Sequence, residues 1–254
     1  MQTGLFITAT DTDTGKTFIT GAIAAAIKAR GITVGVVKPV ASGGTADSSG
    51  RLVSADATFL MLAAGMGEAR RQQVNPVCLA PALTPAVAAV ESGVTIDVAQ
   101  LIGISRAMLA CSAVTLIEGV GGITAPLWQD YLVADMMLAL GLPGLLVTRP
   151  GLGTINHTVL TAKYASQRGI QLAGIIINRW PEERVTVRER SNLEYIERLT
   201  GLPVLGKFPA VPGVISDQTA MARLAVLAEK HLPIDHFIKL MTGGGCSADG
   251  NTAR

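Results

Sequence analysis

The chain has 254 residues, 49% of them hydrophobic, with 21 Lys plus Arg against 19 Asp plus Glu. That content suffices for one large α/β core; no apolar run reaches the roughly 18 residues that cross a bilayer, and no block of like charge supports nucleic-acid or membrane-surface binding. The N-terminus lacks the basic segment and long apolar stretch of a signal peptide, and Cys78, Cys111 and Cys246 are scattered with no His at metal-ligand spacing, so reduced structural thiols in a cytoplasmic, zinc-free protein are expected.

Leu5–Thr8 is a β-rich run that passes through small polar residues into Gly15-Lys16-Thr17 and then into the alanine-rich helical segment Phe18–Arg30. A strand, a small-residue loop and a helix start, in that order, make a phosphate cradle. The helix N-terminus offers unpaired backbone N–H groups and about half a positive charge. In such a cradle Lys16 reaches the β- and γ-phosphates and Thr17 holds magnesium. The generic pattern G-x-x-x-x-G-K-[ST] is not fully met, because Thr10 stands where the first glycine belongs and Ala9 precedes it.

Further Val/Ile-rich runs follow at Val34–Val37, Val114–Ile117, Gly144–Thr148, Leu172–Ile177 and Val204–Gly206. Strands covered on both faces read as continuous apolar runs, so these predict a parallel sheet with helices as crossovers. The helices are predicted at Ala55–Ala64, Val98–Ala110, Leu132–Leu140, Ile155–Arg168, Arg188–Thr200 and Gln218–His231. The expected fold is a single α/β domain over residues 1–241, P-loop NTPase-like, with helices on both faces of the sheet. Ala41–Gly50 reads as flexible, and the Gly-rich tail 242–254 as mobile or disordered. His157, His231 and His236 read as surface or capping residues.

Open sheets of this kind bind ligands beyond the carboxyl ends of their strands, which directs attention to the residues after each run. These are Lys38-Pro39-Val40-Ala41-Ser42-Gly43-Gly44, Glu118-Gly119-Val120-Gly121-Gly122, Arg149-Pro150-Gly151-Leu152-Gly153, Asn178-Arg179 and Pro209. A carboxylate at a buried strand end, as at Glu118, is costly unless paired or metal-bound. Lys38 directly ends a strand. Asp56 is either a metal neighbour or a residue favoured at a helix start, and Ser42 serves either turn chemistry or a substrate hydrogen bond. The amide of Asn178 can pair with a nucleobase edge, and Gly153-Thr154-Ile155-Asn156 opens a helix whose free N–H groups suit a carboxylate.

In order and spacing these clusters resemble the dethiobiotin synthetase family over about residues 3–210. The family favours Thr-Gly-Thr-Asp-Thr followed by Val-Gly-Lys-Thr where this chain has Thr8-Ala9-Thr10-Asp11-Thr12-Asp13-Thr14-Gly15-Lys16-Thr17. Lys38-Pro39-Val40 before Ser42-Gly43, Glu118-Gly119-Val120-Gly121-Gly122, Gly153-Thr154-Ile155-Asn156-His157 and Asn178 add to the resemblance. Departures are Ala9 for the family's glycine, Thr14 for Val and Val87 for His; alanine fits if the backbone at position 9 has negative φ and clashes if it is positive.

The resemblance implies a cyclo-ligase that closes the ureido ring of dethiobiotin from 7,8-diaminopelargonate and CO2 through a carbamate and a carbamic-phosphoric anhydride. ATP and Mg2+ are the implied cofactors, and a homodimer with substrate at the interface the implied assembly. Carried over residue by residue, Lys16, Lys38 and Thr12 are catalytic, and Thr17, Asp56 and Glu118 hold the metal. ATP is met by Asp13, Thr14, Gly15, Lys16, Thr17, Phe18, Asp56, Glu118, Gly119, Val120, Gly121, Asn178, Arg179, Pro209, Ala210 and Val211. Substrate is met by Thr12 and Ser42, and by Gly153, Thr154, Ile155 and Asn156 from the neighbouring subunit. A partition or Min-type switch ATPase would share the sheet, but such proteins place Lys-Gly-Gly early in a loop that here reads Thr10-Asp11-Thr12. A corrin-precursor amidotransferase synthetase would need a nucleophilic Cys with a partner His, a pattern none of the three cysteines shows.

Overall fold

The structure, a computed structural model, describes residues 3–211, 213 and 217–243. In chain order its strands are β1 (Gly4–Ala9), β2 (Val34–Val37), β3 (Val40–Ser42), β4 (Thr45–Ala46), β5 (Leu52–Val53), β6 (Val77–Leu79), β7 (Val114–Glu118), β8 (Pro126–Trp128), β9 (Tyr131–Leu132), β10 (Gly144–Thr148), β11 (Leu172–Trp180) and β12 (Val204–Pro209). The helices are α1 (Lys16–Ala29), α2 (Ala55–Ala64), α3 (Arg71–Val74), α4 (Pro85–Glu91), α5 (Val98–Cys111), α6 (Val133–Leu140), α7 (Thr154–Gln167), α8 (Val187–Thr200), α9 (Gln218–His231) and α10 (Ile234–Thr242).

Six strands form one parallel sheet in the order β12-β11-β10-β1-β7-β2. Every residue of β1, β7 and β10 is buried, as expected of strands covered by helices on both faces. The strand order reverses at β1, whose neighbours β7 and β10 continue the chain on opposite sides. A crevice opens at such a switch point. Register then fixes the chemistry: Val37 lies beside Ile117 and Ile7 beside Glu118, so Lys38 and Glu118 emerge together next to the loop after β1. Gly35 lets β2 run hard against α5, because a Cβ there would lie 2.5 Å from Ser112 Oγ and 2.8 Å from Met108 Cγ.

The six expected strands and seven expected helices are all present, Val34–Val37, Gly144–Thr148, Ala55–Ala64 and Gln218–His231 with the expected ends and the others with shifted ones. Helix α1 begins at Lys16 rather than Phe18, because Gly15 adopts the left-handed conformation (φ 85°) and serves as its N-cap. Strands β11 and β12 run on through Trp180 and Pro209, where Asn178 pairs with Phe208 and Trp180 with Pro209. Asn178 and Arg179 therefore lie within a strand rather than after one. The sequence reading missed α4 and α10, together with the four-residue α3 and the short strands β3–β6, β8 and β9. Helix α4 starts at the Thr84-Pro85 helix-start signal, and α10 buries Ile234, Phe237 and Met241 at helical spacing.

The segment Ala41–Gly50 is held rather than free of partners. Ser42 and Ala41 ladder with β6, Thr45 and Ala46 with β5, and the Asp47 carboxylate accepts from the Ser49 and Arg51 backbone N–H groups. Ala9 sits in β1, and the only described non-glycine residues with positive φ are Asp13, Gln129 and Arg179, so the alanine is unstrained. Helix α10 ends at Thr242 with Gly243 as its cap; the rest of the expected tail lies outside the described residues. No helix among the described residues is long and apolar enough to cross a membrane.

Candidate active site

At the carboxyl edge of the sheet lies a cavity of about 1120 Å³. Its wall includes Thr10–Asp13 and Gly15–Phe18 from the loop after β1, Lys38, Ala41 and Ser42 after β2, Asp56 on α2, and Val120–Gly122 after β7. Thr12, Asp13, Gly15, Lys16, Thr17, Phe18, Lys38, Ser42, Asp56, Val120, Gly121 and Arg179 of the expected site face it together. Phe59, which the sequence reading passed over, stacks on Phe18 at 6.1 Å and shares the wall.

The charged groups make one network. Lys38 Nζ lies 2.6 Å from Glu118 Oε1, 2.9 Å from Asp56 Oδ2 and 3.3 Å from the Gly119 carbonyl oxygen, to which it also donates. Thr17 Oγ1 donates to the same Glu118 Oε1 at 2.7 Å. Lys16 Nζ, from the neighbouring position of α1, donates to the Gly121 carbonyl at 2.7 Å. The main chain at Lys38 is fixed by Asn75, whose amide donates to the Lys38 carbonyl at 2.7 Å, and by the bond from Lys38 N–H to the Val74 carbonyl.

Burial, reinforced by the nearby Lys38 ammonium, pushes Lys16 down to about 8. Burial acts on Lys38 in the same direction, but Glu118 and Asp56 outweigh it and hold Lys38 above the ordinary lysine value. Burial would raise Asp56; Lys38 instead keeps it below the usual carboxylate range. Removing one member of a buried pair such as Lys38–Glu118 leaves an uncompensated charge, which costs about 3–5 kcal/mol. The network is therefore a structural element as well as a reactive one.

Glu118 is fully buried, yet its second oxygen, Oε2, has no hydrogen-bond partner among the described residues. An orphaned buried anionic oxygen is expensive, and with the Thr17 hydroxyl and the Asp56 carboxylate it forms a set of hard oxygen donors. Magnesium suits such a set, since it takes one or two carboxylates and completes its shell with phosphate oxygens and water. No group of three or more His, Cys, Asp or Glu side chains forms a self-sufficient metal cage among the described residues. The donors fit a cation that arrives with a phosphate chain.

Other expected residues lie beside the cavity or away from it. Thr14 is buried under the loop, and its carbonyl accepts from Asn178 Nδ2 at 2.9 Å. Asn178 Oδ1 in turn accepts from Arg179 N–H, so this side chain clamps the phosphate loop rather than standing free beside a base. A Cβ on Gly15 would come within 2.1 Å of that amide nitrogen, so both φ and space require glycine here. Gly119 lies behind the wall, and Pro209, Ala210 and Val211 sit at the adjoining end of β12, outside the cavity lining. Gly153, Thr154, Ile155 and Asn156 open α7 after β10 and do not face this chain's own cavity. Cys78 is half-buried and Cys111 exposed, both as free thiols, while Cys246 lies outside the described residues.

A protein-family profile described as an AAA domain matches residues 3–218. The ATP-dependent dethiobiotin synthetase BioD of Bacillus licheniformis is 39% identical over 208 residues, covering 81% of this chain and 85% of the relative. The enzyme of the same name from Bacillus cereus strain B4264 is 35% identical over 233 residues, 92% of each chain. Among solved structures, the septum site-determining protein MinD of Pyrococcus horikoshii, complexed with Mg-ADP, superposes with a TM-score of 0.52 at 18% identity over 98% of both chains. A ParA family ATPase of Chlorobium tepidum gives 0.51 at 14% identity, over 96% of this chain and 98% of that one. At such identities the likeness to MinD and ParA is one of fold alone.

Proposed function

The chain belongs to the dethiobiotin synthetase family, and from that premise we propose that its cleft closes the ureido ring on 7,8-diaminopelargonate through a carbamate and a carbamic-phosphoric anhydride. It is an ATP-dependent dethiobiotin synthetase, a ligase. In the first step an amine nitrogen of the diamine adds to CO2 and loses a proton. A carbamate oxygen then attacks the γ-phosphorus and ADP leaves. Finally the second amine attacks the carbamoyl carbon, gives up a proton, and expels phosphate as the ring closes.

Every stage gathers negative charge, so positioning and charge compensation are the main tasks of the site. The backbone N–H groups of the loop from Asp13 to Phe18, at the positive end of α1, receive the phosphate chain. Lys16 exchanges the Gly121 carbonyl for the β- and γ-phosphates. Lys38, held at the cavity wall by Glu118 and Asp56, presents its ammonium to the carbamate and the transferring phosphoryl group. Thr12 and Ser42 are hydrogen-bonding neighbours of the diamine. Bound by Thr17, Asp56 and Glu118, Mg2+ would neutralise phosphate charge and orient the terminal group. Arg179, Pro209, Ala210 and Val211 flank the nucleoside, and Asn178 retains one N–H and one lone pair for a base edge.

In this reading Gly153–Asn156 serve the cleft of a second copy, where their N–H groups, other than the Thr154 N–H given to the Gly151 carbonyl, hold the distant carboxylate of the diamine, and the working unit is a homodimer. The observation that carries the reading is the convergence of two ammonium groups, two carboxylates and one hydroxyl on a single phosphate loop. The test is to incubate the purified protein with 7,8-diaminopelargonate, bicarbonate, magnesium and each nucleoside triphosphate in turn. Phosphate release matched by cyclic urea formation with ATP is expected. Phosphate release that ignores the diamine contradicts the reading.

A further inference from the structure

We propose that Thr148 is a positioning residue whose hydroxyl joins the nucleotide loop to the loop that opens α7, so that a ligand held by one sets the geometry of the other. Its side chain ends the fully buried strand β10 and is itself fully buried. It lies 3.3 Å from the hydroxyl of Thr10, 3.0 Å from that of Thr154 and 3.0 Å from that of Thr158, with Thr154 and Thr158 3.5 Å apart. Thr10 faces the cavity and is tied to β10 a second time by its N–H, which donates to the Val147 carbonyl at 3.1 Å. Thr154 is the first residue of α7, directly after Gly153.

A threonine hydroxyl has one proton and two lone pairs, so three neighbours saturate Thr148. It gives its proton either toward Thr10 or toward the α7 pair, and these two orientations are the two states of the link. When Thr10 donates to a ligand in the cleft, it can only accept from Thr148, and Thr148 then accepts from Thr154 and Thr158 together. The start of α7 is thereby drawn into one arrangement. No water replaces a lost partner cheaply, because Thr148, Thr154 and Thr158 are all buried. A merely structural hydroxyl, such as Ser105, which donates to the Leu101 carbonyl inside α5, spans no such pair of loops.

The inference rests on the reading of Gly153–Asn156 as the carboxylate-holding loop, and calorimetry separates the two. Binding of a non-hydrolysable ATP analogue with magnesium is measured with and without saturating 7,8-diaminopelargonate. For the wild type the diamine is expected to tighten the analogue about fivefold or more, a usual size for coupled sites. Thr148→Val is expected to bring that factor to within about twofold of unity, Thr148→Ser to restore it, and Ser105→Ala to leave it at the wild-type value. If Thr148→Val does not fold, Thr10→Val cuts the same link at its cavity end and is expected to give the same loss. A wild-type factor in either valine variant, or no coupling in a wild type that binds both ligands, overturns the proposal. A wild type that does not bind the diamine overturns the functional reading, and the inference with it.

Discussion

Helices α1 and α7 begin alike and serve different ends. Each has 14 residues, follows a buried strand of the same sheet, and is capped by a left-handed glycine, Gly15 at φ 85° and Gly153 at φ 86°, with no side-chain cap. Both present N–H groups at a positive helix end, although in α7 the first of them, Thr154 N–H, already donates to the Gly151 carbonyl at 3.2 Å. Around the first, Lys16, Thr17, Lys38, Asp56 and Glu118 converge. Around the second lie the Thr154 hydroxyl, Ile155, Asn156 and the His157 ring, with Arg149 of the preceding loop turned toward Asp11 at 3.9 Å, and Leu152 is 77% exposed. The shared backbone device gives generic anion affinity; the side chains delivered by neighbouring strands decide whether bonds are made there. On this account the first loop acts on kcat and the second on KM.

The largest effect should come from the first loop's charges. Lys16→Ala and Lys38→Ala are each expected to lower turnover by about 10²–10³-fold, measured as phosphate release; near-normal rates in either would dissolve the contrast. Lys38→Ala also strands Glu118 and is expected to lose about 3–5 kcal/mol of stability. Adding Glu118→Gln should recover much of that stability but none of the activity. Next, Glu118→Gln alone is expected to raise the magnesium needed for half-maximal rate about 10–100-fold, and a magnesium response like that of the parent would remove Glu118 from the metal site.

Smaller effects belong to the second loop. In this reading the Asn156 side-chain amide also donates to the carboxylate, so Asn156→Ala is expected to raise the KM for the diamine about tenfold with kcat retained, as for the loss of one hydrogen bond to a charged group. A fall in kcat at constant KM would assign Asn156 to the chemistry instead. The smallest effect is one of pH. Asn192 of α8 donates to the Pro150 carbonyl in this loop, and α8 is capped by Glu189, whose carboxyl the Thr186 hydroxyl and N–H hold down to about 2. Because the folded value lies below the ordinary 4.5, the stabilisation is complete above about 4.5 and is lost as the pH falls toward 2. The stability gap between wild type and Glu189→Gln should narrow over that range, with hydrogen exchange rising in α8 before α1. A gap independent of pH would exclude the cap as the acid-sensitive element.

Much of this was legible in the sequence for identifiable reasons. Strands buried on both faces write themselves as unbroken Val/Ile runs, and their polar followers named the cleft. The pairing of Lys38 with Glu118, 80 residues apart, was readable only as two charged strand ends, because the parallel register that joins them is a property of the sheet. Asn178 offered an amide with four possible uses, and only the fold shows two of them spent on Thr14 and Arg179. Thr148 only closes a strand run, and Thr158 and Phe59 fall inside helical runs with no motif to single them out. Their roles arise from tertiary neighbours that no local pattern encodes. The short helices α4 and α10 were lost beside a proline and a Gly-rich end, where punctuation residues mask short periodic runs.

The central claim is that the cleft at β1 and β7 passes a carbamate oxygen to the γ-phosphorus and then expels it with phosphate. The direct test is a short incubation with ATP, 7,8-diaminopelargonate and ¹⁸O-labelled carbon dioxide, reading the isotope in the released phosphate. One labelled oxygen per dethiobiotin formed is expected; phosphate free of label, with the urea ring nevertheless closed, would contradict the account.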